Sequence, residues 1–580
     1  MERWKQIMLA GVAVMGIWLI GGMRAEASVP VDEVNFPDPT VRSHVKVYDK
    51  NQDGVLSDEE LKIPTQFGRT TEMSGGVSFD VKSGAVVDFK GMENFPNIRE
   101  LDFALIGNDK KREWIFGGSL LQCFPYAEKI SLAGSYRDTF DGQITLSGTS
   151  DCLKKVKIDT RSLKVNWNVE ANNLNDISIR AYEVDGLRNG AGEMSSLVSL
   201  WLKCEKIQNC NLAFSKMPSL KYLNLAYGGI SQKDLRENGA LLEELSQLRL
   251  ETLEIDIGMQ DFSFLSGLKY LEKLVIRGSL QGKKFSLKGL SALKELDLVA
   301  ARFPQLDLSP VRKTLKTLSV GSAQGVNCIA MANDPQFGNQ AFKVLDISQM
   351  ESLETLYGTD TCLEKIITRD AAGHSALKKL KKVHLWYSRI KSINLADMPK
   401  LEELLMEGSF SKLDVAKCKN MKYLYIKSSN LKSINLKKNT KLKTLWIEGT
   451  KKVKKLDMKK NVKLHSLHLR GTKITSLDLS RNTFLSGLYL YSALRLKKLA
   501  MPPMKKPAVQ VYHCKKSCKV NVLDLSRIKK FTKKTRGAYL HPFQVHKNYK
   551  KIILSKKVKK SDRNWFKKKA KKIKAKVLVK

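Results

Sequence analysis

From Leu380 to about Leu490 one pattern returns at intervals of roughly twenty-one residues, with units opening at Leu380, Leu401, Met421, Leu442, Leu464 and Leu485. Each opens apolar-x-x-apolar-x-apolar, as in Leu401/Leu404/Met406, Met421/Leu424/Ile426, Leu442/Leu445/Ile447 and Leu464/Leu467/Leu469. A second apolar pair then brackets an amide or acid: Ile393-Asn394-Leu395, Leu413-Asp414-Val415, Ile434-Asn435-Leu436, Leu456-Asp457-Met458 and Leu477-Asp478-Leu479. A unit this short cannot bury its own apolar face, so it must stack on copies of itself. The opening triplet has period two, which predicts a strand with its leucines pointing inward.

A small hydroxyl stands eight residues into each unit, at Ser388, Ser409, Ser429, Thr450 and Thr472, until Ala493 breaks the series. A hydroxyl fixed at one point of a stack is expected to bond the backbone of the neighbouring turn. The fold class is therefore a β-rich (α/β) leucine-rich-repeat solenoid with a curved parallel sheet, its period too short for a full convex helix. Less regular openings precede it at Leu197, Leu220, Leu250, Leu271, Leu293 and Leu315, with weaker copies at Ile98-Leu101-Phe103 and Leu153-Val156-Ile158. Gln232 to Leu248 reads as one inserted helix, Asn327 to Phe342 as a loop, and Met501-Pro502-Pro503 as the solenoid's end. The expected segments are residues 1–27, a signal; 28–64, a cap; 65–373, irregular repeats; 374–501, regular repeats; and 502–580, a Lys-rich cap or tail.

The 580 residues carry a formal charge of +43, and its distribution is the informative part. Ala371 to Lys580 holds 57 Lys and Arg against 10 Asp and Glu, while the remainder holds 44 against 48. Only seven of the 57 are Arg, so the back half offers diffuse point charges rather than the bidentate forks of guanidinium groups.

Arg3 and Lys5 before the apolar run Ile7–Gly22, then Ala25-Glu26-Ala27, read as a secretory signal cleaved before Ser28. The run is too short and Gly-rich to span comfortably, so an exported chain with no membrane span after cleavage is expected. Nine scattered cysteines do not resemble a disulfide framework; Cys514 and Cys518 are the pair placed for a local bridge.

Near the N-terminus, Thr40 is expected to cap a helix whose stripe is Val41, Val45 and Tyr48. Asp49-Lys50-Asn51-Gln52-Asp53-Gly54-Val55-Leu56-Ser57-Asp58-Glu59-Glu60 then matches the EF-hand calcium loop at each defining place. Asp49, Asn51 and Asp53 turn oxygens inward, and Gly54 permits the bend. Val55 offers its carbonyl, Ser57 acts directly or through water, and Glu60 supplies two oxygens. Pro64 cuts the exiting helix short and no second loop exists, which points to a calcium-stiffened cap on the first turn rather than a sensor.

Asn35-Phe36-Pro37-Asp38, Val41-Arg42 and the calcium loop resemble the head of secreted or surface leucine-rich-repeat proteins of gut-dwelling Gram-positive bacteria. That family's repeats have the form L-x-S-L-D-V-S-x-N-x-x-L. Leu431-Lys432-Ser433-Ile434-Asn435-Leu436-Lys437-Lys438-Asn439-Thr440-Lys441-Leu442 is similar, and Thr475-Ser476-Leu477-Asp478-Leu479-Ser480-Arg481-Asn482-Thr483 closer still. The resemblance implies a surface or secreted binding protein and names no ligand.

No His-Glu-x-x-His, Gly-x-Ser-x-Gly or phosphate-binding Gly-rich loop is present, and His465 and His468, three apart on a strand, face opposite ways. No catalytic residue is assigned. The residues between inward leucines are His384, Leu405, Tyr425, Trp446, His468 and Tyr489; two places on stand Trp386, Glu407, Lys427, Glu448, Arg470 and Tyr491. On adjoining strands they form an aromatic and charged strip on the concave sheet. It suits a sugar or protein partner through flat ring faces, or simply cross-strand packing. His384, Trp386, Tyr425, Trp446, His468, Arg470, Tyr489 and Tyr491 are the candidate partner-binding residues. Lys567, Lys568, Lys569, Lys571 and Lys572 are the candidates for holding a polyanion: a cell-wall polymer or an acidic host polysaccharide, with nucleic acid disfavoured by export. An adhesin for host glycans is the alternative within binding proteins. A carbohydrate-active enzyme would need a carboxylate pair that the few acids of the back half do not suggest.

Overall fold

The computed structural model describes residues 28–580 apart from 69–79, 83–85, 107–110, 118–119, 135–140, 161–162, 188–193, 227–229, 256–260, 278–283, 300–305, 322–342, 360, 429, 493–494, 505–507, 513–519 and 545–549. The signal segment, the loop over Asn327–Phe342, Ser429, Ala493 and the Cys514/Cys518 pair therefore lie outside the described residues. The chain forms two compact units: Met1–Leu220 with Gly228–Leu241, and Lys221–Tyr227 with Leu242–Lys580.

In the first unit the helix Pro39–Val45 is capped by Asp38, not Thr40. Its Oδ1 accepts from the Thr40 and Val41 N–H groups at 2.8 and 3.1 Å. Pro39 at the first helical position needs no partner for an N–H and presets the helical φ, so the helix starts one residue early. Val41 and Val45 are fully buried, and the Tyr48 ring lies 5.7 Å from Phe95. Phe36, Phe67, Phe89, Phe95, Phe103 and Phe124 are buried around them, joining the cap to the first turn.

Beyond the cap, parallel strands Glu100–Ile106, Lys129–Gly134, Lys155–Asp159, Asp176–Arg180 and Ser199–Lys203 put Leu101, Ile130, Val156, Ile177 and Leu200 in one register. A second parallel sheet runs Val86–Asp88, Lys111–Gly117, Asp141–Thr149, Leu163–Glu170, Glu183–Asp185 and Lys206–Gln208. Its strands alternate: Leu163, Val165, Trp167 and Val169 go inside while their neighbours stay outside. The helix expected over Gln232–Leu248 is two pieces, Gln232–Glu237 and a 3-10 segment Leu242–Gln247. Between them Gly239 takes φ 72°, a left-handed turn that ends the first piece.

The second unit is the leucine-rich-repeat solenoid proper. Its long parallel sheet includes Tyr222–Leu225, Thr252–Ile255, Lys273–Arg277, Glu295–Val299, Thr317–Ser319 and Thr355–Tyr357. It continues through Lys382–Ile390, Glu403–Gly408, Tyr423–Lys427, Thr444–Glu448, Ser466–Arg470, Gly487–Tyr491 and Ala508–Tyr512. The inward leucines of each opening triplet are buried, each such side chain contributing about 1.5–3 kcal/mol. A sheet of short strands, Ser476–Asp478, Lys498–Ala500, Val522–Leu525, Lys551–Leu554 and Lys576–Val579, lies on another face. Parallel pairing thus continues past Met501, where the prolines had suggested an end. Helices Lys533–Gln544 and Lys560–Lys572 close it: the Phe531 ring lies 5.0 Å from Phe566 and 6.0 Å from Tyr539. Arg536 Nη1 meets Asp562 Oδ1 at 2.9 Å between the helices.

The interior carries an asparagine ladder. Fully buried Asn439, Asn461 and Asn482 each donate both amide hydrogens to carbonyls of the preceding turn, Asn461 to Leu436 at 3.0 Å and Asn439 at 2.9 Å. The acid or amide between the second apolar pair closes a turn: Asn394, Asp414, Asn435, Asp457 and Asp478 each accept from the N–H two residues on. The hydroxyl ladder is only partly realised. Ser388 Oγ lies 2.8 Å from the Leu385 carbonyl and 2.9 Å from the Glu407 carbonyl of the next turn, which share its single proton. Ser409 is exposed, Ser428 occupies the buried site with its Oγ 2.9 Å from the Phe410 carbonyl, and Thr450 Oγ1 is buried without a partner. Turns of unequal length shift the slot by a residue, so a fixed spacing of eight does not hold it.

Candidate functional site

Glu60 ties the calcium-type loop shut by itself. Its Oε1 accepts from Lys50 N–H at 2.7 Å, and its Oε2 from the N–H and hydroxyl of Ser57 at 2.9 and 2.8 Å. Ser57 and Glu60 form a reciprocal capping box on helix Asp58–Leu61. These bonds, those from Ser57 foremost, pull the Glu60 carboxyl down to about 2. Asp49 Oδ2 accepts from Gly54 N–H at 3.0 Å, Asn51 Oδ1 from Asp53 at 3.2 Å, and Asp53 Oδ1 from Val55 at 2.8 Å. Among the described residues no three His, Cys, Asp or Glu side chains stand together as a finished metal cage.

The donor set still fits calcium. It is all oxygen, as a hard cation requires, Gly54 takes the bend at φ 82°, and Asp49 Oδ1 is buried without a partner. Val55-Leu56 pairs antiparallel with Val29-Pro30, so the chain's own N-terminal segment supplies a strand partner for the lone loop.

Tyr425, Trp446, His468 and Tyr489 stand in register on the long sheet, but their ring faces are not free. Trp446 and His468 stack at 4.5 Å and 2°, His468 and Tyr489 at 4.2 Å and 12°, with Tyr425 tilted against Trp446 at 6.1 Å. Trp446 and His468 thus spend a ring face on each other, as do His468 and Tyr489, in the manner of cross-strand packing. His468 Nε2 is 2.9 Å from Ser466 Oγ, its Nδ1 and Trp446 Nε1 are buried without partners, and burial lowers the imidazole pKa. His384, 5.1 Å from the Tyr357 ring and 3.2 Å from Glu403, is likewise lowered, burial outweighing the carboxylate.

The neighbouring charged column neutralises itself. Lys427 meets Glu407 at 2.7 Å, and Arg470 meets Glu448 at 3.4 Å, with Tyr491 next in register to Arg470. Trp386 still meets this column, with the Lys427 ammonium 6.0 Å over its ring, although the pairing register breaks between Leu385 and Ile390. The bulge turns Tyr387 outward at φ 52°, and Lys427 lies 5.4 Å over its ring. Sequence reasoning passed over Tyr387, since a regular strand would have placed it off the strip.

Helix Lys560–Lys572 buries Asp562, Phe566 and Ala570 at every fourth position and leaves Lys567, Lys568, Lys571 and Lys572 exposed. Lys569 differs, being half-buried with its ammonium 5.7 Å from the Trp565 ring. Cys204 and Cys418, buried, have their thiols pushed up to about 12, which leaves them unreactive. Among the described residues no helix is long and apolar enough to cross a membrane.

No family model matches the chain, and no curated protein matches it. Among solved structures, the functional domain of InlJ from Listeria monocytogenes, which includes a cysteine ladder, aligns over 92% of this chain and 84% of that domain, at 15% identity and a TM-score of 0.36. The internalin InlF of Listeria monocytogenes aligns over 80% of this chain and 98% of its own, at 14% identity and 0.31. The plant peptide hormone receptor RGFR1, solved with RGF2, aligns over 81% of each chain at 11% identity and 0.36. At such values these likenesses carry no inference about a partner, and the fold rests on the registers above.

Proposed function

We propose that this is a non-enzymatic, exported binding protein with a calcium-stabilised N-terminal cap, held by its lysine-rich half to an anionic surface polymer. The observation that carries this reading is the C-terminal helix. Its exposed Lys567, Lys568, Lys571 and Lys572 take part in no ion pair among the described residues. Clustered ammonium groups without carboxylate partners attract a polyanion through charge density and counterion release. Retention on isolated anionic cell-wall polymer across a salt gradient tests it: steep loss between low and moderate salt is expected, and salt-indifferent retention or none would count against it.

In the cap, Asp49, Asn51, Asp53, the Val55 carbonyl, Ser57 and Glu60 would hold calcium. Glu60→Gln also breaks the capping box, so Asp49→Asn, which keeps an acceptor for Gly54, is the cleaner probe. A rise in melting temperature with millimolar calcium in the wild type, absent in Asp49→Asn, is expected; equal rises in both would sink the calcium reading. A protein ligand on the long sheet is a second reading. It is favoured at the bulge, where an exposed bulky side chain held at positive φ is the kind of strain found at contact sites.

A further inference from the structure

We infer that a polyanion lies not on the terminal helix alone but along a lysine track crossing the short-strand face of the second unit, and that it is a linear polyol-phosphate chain. The inference rests on the polyanion reading above and places the binding surface elsewhere. Backbone bonds fix the order of the turns: Lys432 N–H to Ser411 O, Thr475 to Lys454, Lys497 to Thr475, Asn521 to Lys497, and Lys550 to Asn521. One residue on, Ser476, Lys498, Val522, Lys551 and Lys576 are in parallel register. Lysine doublets Lys454-Lys455, Lys497-Lys498 and Lys550-Lys551 therefore fall on alternate turns, extended upstream by Lys412 and Lys432. All of these side chains are exposed, and none has an ion-pair partner among the described residues.

Geometry limits what such a track can hold. Neighbouring strands lie about 4.8 Å apart, so successive doublets are roughly 10 Å apart, too far for one small anion to bridge. A linear polymer can touch several at once, each contact after the first being intramolecular. Between the doublets the same two columns carry Ser411, Ser433, Thr475, Ser476, Asn521 and Val522, with no aromatic ring. Sugar rings and nucleobases are usually gripped by ring stacking. A track of ammonium groups and hydroxyls suits instead a flexible chain that offers a phosphate in each short repeat. Acids stand nearby: Asp457, Asp478 and Asp524 each have an oxygen committed to closing a backbone turn, and Asp478, although it feels the charge of Lys498, closes no ion pair with it among the described residues.

The full chain is tested on immobilised poly(glycerol phosphate) against a variant with Lys454, Lys455, Lys497, Lys498, Lys550 and Lys551 all changed to Ser, and a second with Lys567, Lys568, Lys571 and Lys572 changed to Ser. Serine already occupies both columns, and a cooperative melting transition no lower than that of the wild type confirms that each variant is folded. Loss of the six track lysines should flatten the dependence of log K on log salt by about 0.7 per lysine in contact, the value for single-stranded polyanions. The helix variant should change less. A track variant that keeps the wild-type slope while the helix variant loses it would overturn the track and leave the polyanion reading standing. No retention of the wild type on this or any other polyanion would overturn both. Equal retention on heparin or single-stranded DNA at matched charge would overturn the choice of polyol phosphate.

Discussion

Two faces of the same repeats are built by opposite rules. On the long sheet Lys427 meets Glu407 and Arg470 meets Glu448 on the neighbouring strand, and the rings of Trp446, His468 and Tyr489 meet one another. On the short-strand face, lysines outnumber the acids beside them, and none of the track lysines closes an ion pair among the described residues. The excess of +43 is therefore not spread evenly over the chain. The repeat forces each column to be decided once per turn, and the two faces were decided differently: one is paired across neighbouring strands, the other leaves its lysines out of ion pairs among the described residues.

Both faces hang on the asparagine ladder, so its loss should be the largest effect. Asn461→Ala removes two buried hydrogen bonds, leaves the Leu436 and Asn439 carbonyls with one backbone donor each, and opens a small buried void, with an expected cost of about 3 kcal/mol in urea unfolding. Both faces should be lost together; unfolding of one before the other would break the idea of a shared interior. Trp446→Ala separates the faces. Opening the stack should cost about 2 kcal/mol, whereas removing the six track lysines should stay within about 0.5 kcal/mol. A track variant as damaging as Trp446→Ala would mean that those lysines are structural. Salt gives a smaller effect with a sign. Screening relieves repulsion between unanswered lysines, so 0.5 M sodium chloride should raise the melting temperature of the wild type by more than that of the track variant. Equal shifts would show that the track carries no repulsion.

The leucine triplets were legible because a period of two inside a period of about twenty-one leaves one way to bury them, and the turn-closing Asp and Asn stood at a fixed offset in the same frame. Other features were legible only in part. Asn439, Asn461 and Asn482 recur as plainly as the leucines, but their meaning lies in carbonyls of the previous turn, which a one-dimensional pattern does not display. The ring column was seen, yet period-two spacing says which face a ring is on and not whether its plane is free. The bulge at Tyr387 breaks the register that spacing assumes. The doublets at Lys454, Lys497 and Lys550 are separated by 43 and 53 residues, so unequal turns hid their alignment until backbone bonds supplied it.

The smallest expected effect sets the two faces against each other through pH. His468 lies between two rings with Ser466 on one nitrogen, and burial holds its folded pKa below the ordinary 6.5. Between that lowered value and 6.5 the unfolded chain binds the proton and the folded chain does not. Stability from the neutral stack is therefore complete above 6.5 and declines as pH falls below it. His44 and His384 are lowered by burial too, so the wild type alone cannot isolate the stack. His468→Phe keeps a ring between Trp446 and Tyr489 but cannot titrate. Melting temperatures measured from pH 7.5 to 5.5 should fall less in His468→Phe than in the wild type, with Trp446 emission shifting only in the latter. Parallel declines would mean that the imidazole takes its proton without leaving the stack, and the long sheet would then be no more closed to charge than the face opposite.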